Sequence, residues 1–114
     1  MALPEFTKRI VESKLSSYCE QRVPLHVRDR VKLAFKIRGN SVTLFEQRPV
    51  YREKSKWIDM PIAQFRFNVS RSLWTLYCAD RNSKWRKYLP AAPTRDFDAL
   101  IAEMEKDPTG IFWG

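Results

Sequence analysis

The residues of this chain best suited to chemistry are cations set among aromatic rings. Lys32, Lys36, Arg38, Arg66, Arg81, Lys84, Arg86 and Lys87 recur through the middle of the sequence, with Phe45 and Tyr77 between them. Cations track phosphates and ring faces stack on unpaired bases, so these are the parts of a single-strand nucleic-acid surface. The same charges serve equally well as a solvated surface that keeps a small protein soluble. The densest cluster, Arg81, Lys84, Arg86 and Lys87, adjoins the turn Asp80-Arg81-Asn82. There Asp80 and Asn82 read as turn residues bonding their own backbone. The functional alternative is a phosphate-contacting hairpin tip with Tyr88 free to stack.

Catalytic sets are thin. His26 is the only histidine and follows a proline link, a surface position rather than a base or a ligand. Glu46 and Asp59 could meet if two hairpins packed side by side, the minimum for a metal-dependent nuclease. Asp29, Glu46, Glu53, Asp59 and Asp80 are otherwise scattered. Cys19 and Cys78 form neither a disulfide framework nor a zinc spacing, and both read as buried thiols. No cofactor motif stands in the chain, and no cofactor or metal is expected.

Charge is segregated along the sequence. The total is +8 from 21 Lys/Arg and 13 Asp/Glu, but residues 22–88 hold 16 of the cations and 5 of the acids, hence +11. Residues 1–21 are neutral, three against three, and residues 89–114 are −3, two against five. An anionic partner, single-stranded nucleic acid or another polyanion, is the first to expect. A length of 114 residues with 44% apolar and 13% aromatic content supports one domain with one core. No apolar run reaches the roughly 18 residues of a membrane span, and the start lacks a basic region before an apolar one. A cytoplasmic protein without a membrane partner is the expectation.

The elements that must position these residues can be read from periodicity. Residues 4–22 place Leu3, Phe6, Ile10, Val11, Leu15, Tyr18 and Cys19 on one side of a helix that Pro24 ends. Residues 31–38 alternate strictly, Gly39-Asn40 supplies a two-residue turn, and 41–48 return. Setting Arg38 against Ser41 then opposes Ile37 to Val42 and Phe35 to Leu44. Val50–Lys56 reads as a mobile charged loop, with Trp57-Ile58 as the start of a strand or a cap on the core edge. Residues 62–69 and 73–79 pair across a tight loop, Phe67 to Trp74, Phe65 to Leu76 and Ala63 to Cys78. A last strand over 84–89 would set Trp85 opposite Cys78. Thr94 looks like the cap of a second helix, to residue 106, carrying Phe97, Leu100, Ile101 and Met104.

The expected fold is therefore α+β: a five-stranded antiparallel meander (residues 30–89) with an N-terminal and a C-terminal helix packed on its apolar face, then a packed tail over 107–114. The second face would display Lys32, Lys36, Arg38, Phe45, Arg66 and Tyr77. A helix laid across that face would remove the binding hypothesis. The rival function is a protein-interaction module, built on the acidic C-terminal helix and Trp113, with self-association through Trp57 and Trp113.

Three segments stand out together: Arg38-Gly-Asn-Ser-Val-Thr-Leu-Phe-Glu46; Trp74-Thr-Leu-Tyr77 with Asp80-Arg-Asn82 and Trp85; and Asp107-Pro-Thr-Gly-Ile-Phe-Trp-Gly114. With Cys19–Pro24 they resemble a family of short bacterial proteins that share a domain of unknown function. The resemblance implies one stand-alone domain and carries no activity, cofactor or site residue.

Overall fold

A computed structural model describes residues 2–53 and 55–113. Its elements are α1 (Glu5–Arg22), a 3-10 turn (Leu25–Val27), β1 (Lys32–Arg38), β2 (Ser41–Pro49), β3 (Trp57–Asn68), β4 (Leu73–Ala79), β5 (Trp85–Lys87) and α2 (Phe97–Lys106). The strands form one antiparallel sheet in the order β1-β2-β3-β4-β5. This is the expected α+β meander.

Both hairpin registers follow from their turns. Gly39 takes φ 58°, which places Arg38 against Ser41, Ile37 against Val42 and Phe35 against Leu44. A positive φ at the first central residue matches the right-handed strand twist. Across β3 and β4, Phe67 opposes Trp74, Phe65 opposes Leu76 and Ala63 opposes Cys78. Side chains of paired residues share a face, so Val42, Leu44, Ala63, Phe65, Phe67, Trp74 and Leu76 form one apolar surface.

That surface meets both helices. Val11 and Leu15 of α1, with Phe97, Leu100 and Met104 of α2, are buried in the same cluster as the strand residues. Phe97 lies 4.8 Å from Phe65 and 4.8 Å from Trp74, and Trp74 lies 4.8 Å from Phe67. Tilted and edge-on rings at this spacing add attraction beyond area burial. Across the helices, Lys14 bonds Asp98, Tyr18 donates to Glu105, and Arg22 pairs with Glu105 at 3.6 Å. One sheet face is thus covered and the other is bare.

Five details depart from expectation. First, β3 begins at Trp57, the strand start that Trp57-Ile58 offered, and continues through a bulge into the alternation expected over 62–69 instead of forming a separate element. A bulge faces Leu44 to Ala63 but Phe45 to Pro61, leaving Ile62 as the extra residue. The bulge reverses the alternation, so Trp57, Asp59 and Pro61 point away from the helices while Ala63 and Phe65 point toward them. Period-2 reading fails there, and Pro61 is tolerated because bulges interrupt the ladder. Second, the Val50–Lys56 loop carries backbone bonds of its own, which periodicity does not give: the Val50 amide donates to the Lys56 carbonyl at 2.8 Å, and the Lys56 amide to the Glu53 carbonyl at 2.9 Å. Lys54 lies outside the described residues.

Third, β5 spans only Trp85–Lys87, with Trp85 against Ala79 and Arg86 against Cys78. Fourth, α2 is capped by Asp96, whose side chain accepts from the Asp98 amide. Thr94 instead exchanges two backbone bonds with Trp74 (2.7 and 3.0 Å), and Tyr88 donates to the Leu76 carbonyl at 2.9 Å. Together they close the edge that the short β5 leaves open on β4. Fifth, Phe6 is 77% and Ile10 37% exposed. Nine residues, about two and a half turns, separate Phe6 from the inward Leu15, which puts them on opposite sides of α1.

Asn40 ties the first turn to the central strand. Its Nδ2 donates to the Phe67 carbonyl at 2.8 Å, and its carbonyl accepts from the Phe67 amide at 2.9 Å. Asn40→Ala keeps the backbone bond and orphans one partly buried acceptor. The expected loss is about 1 kcal/mol of stability, read as a drop of about 4 °C in thermal midpoint. An unchanged midpoint would show that water replaces the amide.

Candidate nucleic-acid interface

The bare face is ordered by the register. One row across the pleat runs Lys36, Thr43, Gln64, Tyr77, Lys87 over all five strands. The next runs Arg38, Ser41, Arg66, Thr75. Toward the far end of the β2–β3 hairpin come Ala34, Phe45 and Pro61, then Lys32, Gln47 and Asp59, then Pro49 and Trp57. The face is hollowed in two places. A hollow of about 660 Å³ is lined by Lys36, Arg38, Ser41, Thr43, Gln64 and Arg66 among others. A second, of about 410 Å³, is lined by Arg66, Asn68, Thr75, Tyr77 and Lys87 among others. Arg66 belongs to both.

Three of these cations rest on rings. Lys32 Nζ lies 4.3 Å from the Trp57 ring centre, Lys36 Nζ 5.3 Å from Phe45, and the Arg66 guanidinium 4.0 Å from Tyr77. Asp59 is the carboxylate of this face, 3.9 Å from Lys36 and accepting from Gln47 Nε2 at 2.9 Å. Beneath them Gln64 is buried at 9% exposure, the one buried polar side chain among the described residues. Its Nε2 donates to Thr43 Oγ1 at 2.9 Å, and its Oε1 accepts from Arg66 Nε at 2.6 Å.

The structure gathers Lys32, Lys36, Arg38, Arg66 and Tyr77 on this surface, as the alternation predicts, and adds Lys87, which the true β5 register sets opposite Tyr77. It does not gather the rest. Phe45 shares the face but is only 5% exposed, packed beside Ala34 and Pro61 with Lys36 above it, so its ring offers no platform. Arg86 points to the helical side of the sheet, because the true register sets it opposite Cys78, and its Nε bonds Asp80 Oδ2 at 2.8 Å. Arg81 and Lys84 are exposed at the β4–β5 turn. Tyr88 is buried beside Phe112 and donates to Glu103, which removes it from stacking. Sequence reasoning put Gln64 on this face by alternation. It missed Trp57, which lies beyond the bulge, and Trp85, which a one-residue slip in the expected register assigned to the helical side.

The other candidates resolve plainly. Glu46 pairs with Met60 and Asp59 with Gln47, so the two acids sit on opposite faces of the sheet and cannot share a metal. Glu46 instead binds Arg48. No group of three or more His, Cys, Asp or Glu is placed to hold a metal among the described residues. His26 is exposed in the 3-10 turn. Burial pushes the Cys19 thiol up to about 11 and raises that of Cys78, so both stay protonated at neutral pH. No helix among the described residues is long and apolar enough to cross a membrane. The tail folds back: the Phe112 and Trp113 amides donate to the Asp107 carboxylate, the Trp113 indole donates to the Met104 carbonyl at 3.1 Å, and Arg22 covers its ring at 4.6 Å.

Asp80 organises the hairpin tip. Its Oδ1 accepts the amides of Asn82 and Lys84 at 2.8 and 2.9 Å, and these bonds, with that from Arg86, hold its carboxyl below the ordinary carboxylate value. A lowered folded pKa means that the charged form steadies the tip at neutral pH and that the effect fades as pH falls through the acid range. Hydrogen exchange at the Asn82 and Lys84 amides reads this directly. Protection should drop on acidification, and Asp80→Asn should lose it already at neutral pH; protection equal to wild type would refute the role.

No curated protein and no solved structure matches the chain. The family described as Domain of unknown function (DUF3024) matches residues 3–114. With all but the first two residues of the sequence covered, the chain belongs to that family.

Proposed function

We propose that this domain is a non-catalytic module that binds single-stranded nucleic acid on the open face of its sheet. The observation that carries the reading is the face itself. Neither helix covers it, and it sets Lys32, Lys36, Arg38, Arg66 and Lys87 against Asp59 among the described residues. The half-buried rings of Trp57, Tyr77 and Trp85 share this face, Trp57 against Lys32 and Tyr77 against Arg66. A shallow trough with recessed rings suits bases that are splayed from their strand, because a duplex hides its base faces and presents phosphates on a convex surface. The protein-interaction reading loses its main handle, since both the indole N–H and a ring face of Trp113 are engaged within the chain. The nuclease reading loses its paired acids, which lie on opposite faces of the sheet.

Fluorescence anisotropy of a labelled single-stranded 20-mer, titrated with protein over a salt series, tests this. Affinity should fall log-linearly with salt, at a slope of about −0.7 for each phosphate neutralised. Lys36→Ala combined with Lys87→Ala should flatten that slope by about 1.4. A duplex of the same sequence should bind more weakly. No binding at low salt, or equal binding of the duplex, overturns the proposal.

A further inference from the structure

Among the cations of the open face, Arg66 differs in being fixed while its outer nitrogens stay unused. Its Nε donates to Gln64 Oε1 at 2.6 Å, and Gln64 is itself locked by Thr43 from the neighbouring strand. The guanidinium plane lies 4.0 Å over the Tyr77 ring, from the strand on the other side. Three groups, Gln64, Thr43 and Tyr77, on three adjacent strands therefore define one side-chain position. Among the described residues the two Nη nitrogens of Arg66 have no hydrogen-bond partner, and no carboxylate pairs with it. Other arginines with set positions differ: Arg9, Arg22, Arg48 and Arg86 each face a carboxylate. Arg28 gives both Nε and Nη2 to backbone carbonyls. Arg38 has no partner holding it among the described residues, and Lys36 is partly offset by Asp59.

We propose that Arg66 is the anchor of the bound strand, receiving one phosphodiester group on its Nη1 and Nη2 at the junction of the two hollows. This deepens, and rests on, the reading of the open face as a single-strand surface. A guanidinium presents parallel N–H donors that match two phosphate oxygens, and an arginine already ordered loses little rotamer freedom on binding. Ser41, next to Arg66 in the same row, offers a hydroxyl to the same phosphate. Arg38 beyond it and Lys87 in the second hollow would carry the strand onward in either direction. Gln64 and Thr43 touch no ligand; they are positioning residues.

The distinction between an anchor and a mere charge is measurable with the full chain and a labelled 12-mer of deoxythymidylate. Arg66→Ala should weaken binding at least tenfold and reduce the salt slope by about 0.7, one phosphate contact. Arg66→Lys should weaken it fivefold or more while leaving the slope unchanged, because charge is kept and the fork is lost. Gln64→Leu should do the same, since it frees the guanidinium without altering any charge. Arg9→Ala, on the far side of the molecule, supplies a charge-matched control and should bind as wild type. Thermal melts establish that each variant is folded. If wild type binds and Arg66→Lys and Gln64→Leu bind equally well, the anchor is refuted and the face remains a diffuse polyanion surface. If Arg9→Ala weakens binding as much as Arg66→Ala, net charge replaces the anchor as the cause. If wild type itself does not bind, the single-strand reading falls and the anchor with it.

Discussion

The contact on which the rest depends is the ring cluster of Phe65, Phe67, Trp74 and Phe97. It forces α2, reached by a turn and an extended segment after β5, back onto the same side of the sheet as α1. An amphipathic helix and a one-sided meander each need a partner for one apolar surface. With two helices and one apolar sheet face, a single covered layer satisfies all three. The second face is then left bare by necessity, and antiparallel sheets accept this where the outward residues are polar. The exposure of the cationic face is a consequence of how the core closes, and it needs no separate device.

Charge follows the same division. The acidic C-terminal segment meets basic groups of the helical layer: Asp98 faces Lys14, and Glu105 faces Arg22 while accepting from the Tyr18 hydroxyl. Asp107 holds the amides of the tail rather than a cation of the sheet. Exposed ion pairs of this kind contribute little to stability. Their larger effect is positional, because acids arranged around the helices leave the cations of the open face, among the described residues, with Asp59 as their counter-charge. A modest net charge thereby becomes a strongly one-sided field.

Much of this was legible in the sequence, and the failures share a cause. Strict alternation fixed the inward and outward residues of β1, β2 and β4, and Gly39-Asn40 fixed the first register. The bulge at Ile62 defeated the same logic, because one inserted residue exchanges the faces of everything before it. Trp57 was therefore not recognised as part of the cationic face. At β5 a slip of one residue exchanged the roles of Trp85 and Arg86. The short strand carries too few side chains for its pattern to outweigh the Asp80 turn, which sets the register. Thr94 and Asp96 are both acceptable caps by type, and the open edge of β4 claims Thr94 first. Buried Gln64 could be placed on the outer face by parity, but its partners depend on three-dimensional neighbours that no periodicity contains.

The cation–ring pairs also bear on how such a face would engage a strand. At exposed sites a cation over a ring contributes about 0.5–1 kcal/mol, while stacking of a base on an aromatic contributes about 1–3 kcal/mol. Lys32 can therefore leave Trp57 for a phosphate and yield the ring to a base with a net gain. Lysine suits that exchange, having a flexible stem and a point charge. Arg66 does not, because its guanidinium is held from the opposite edge by Gln64 and its departure would orphan a buried amide oxygen. The face thus divides into movable cations, the lysines and Arg38, and one stationary arginine, Arg66. Fixing the register of a strand requires at least one contact that does not move, and Arg66 is the group in which the sheet supplies it.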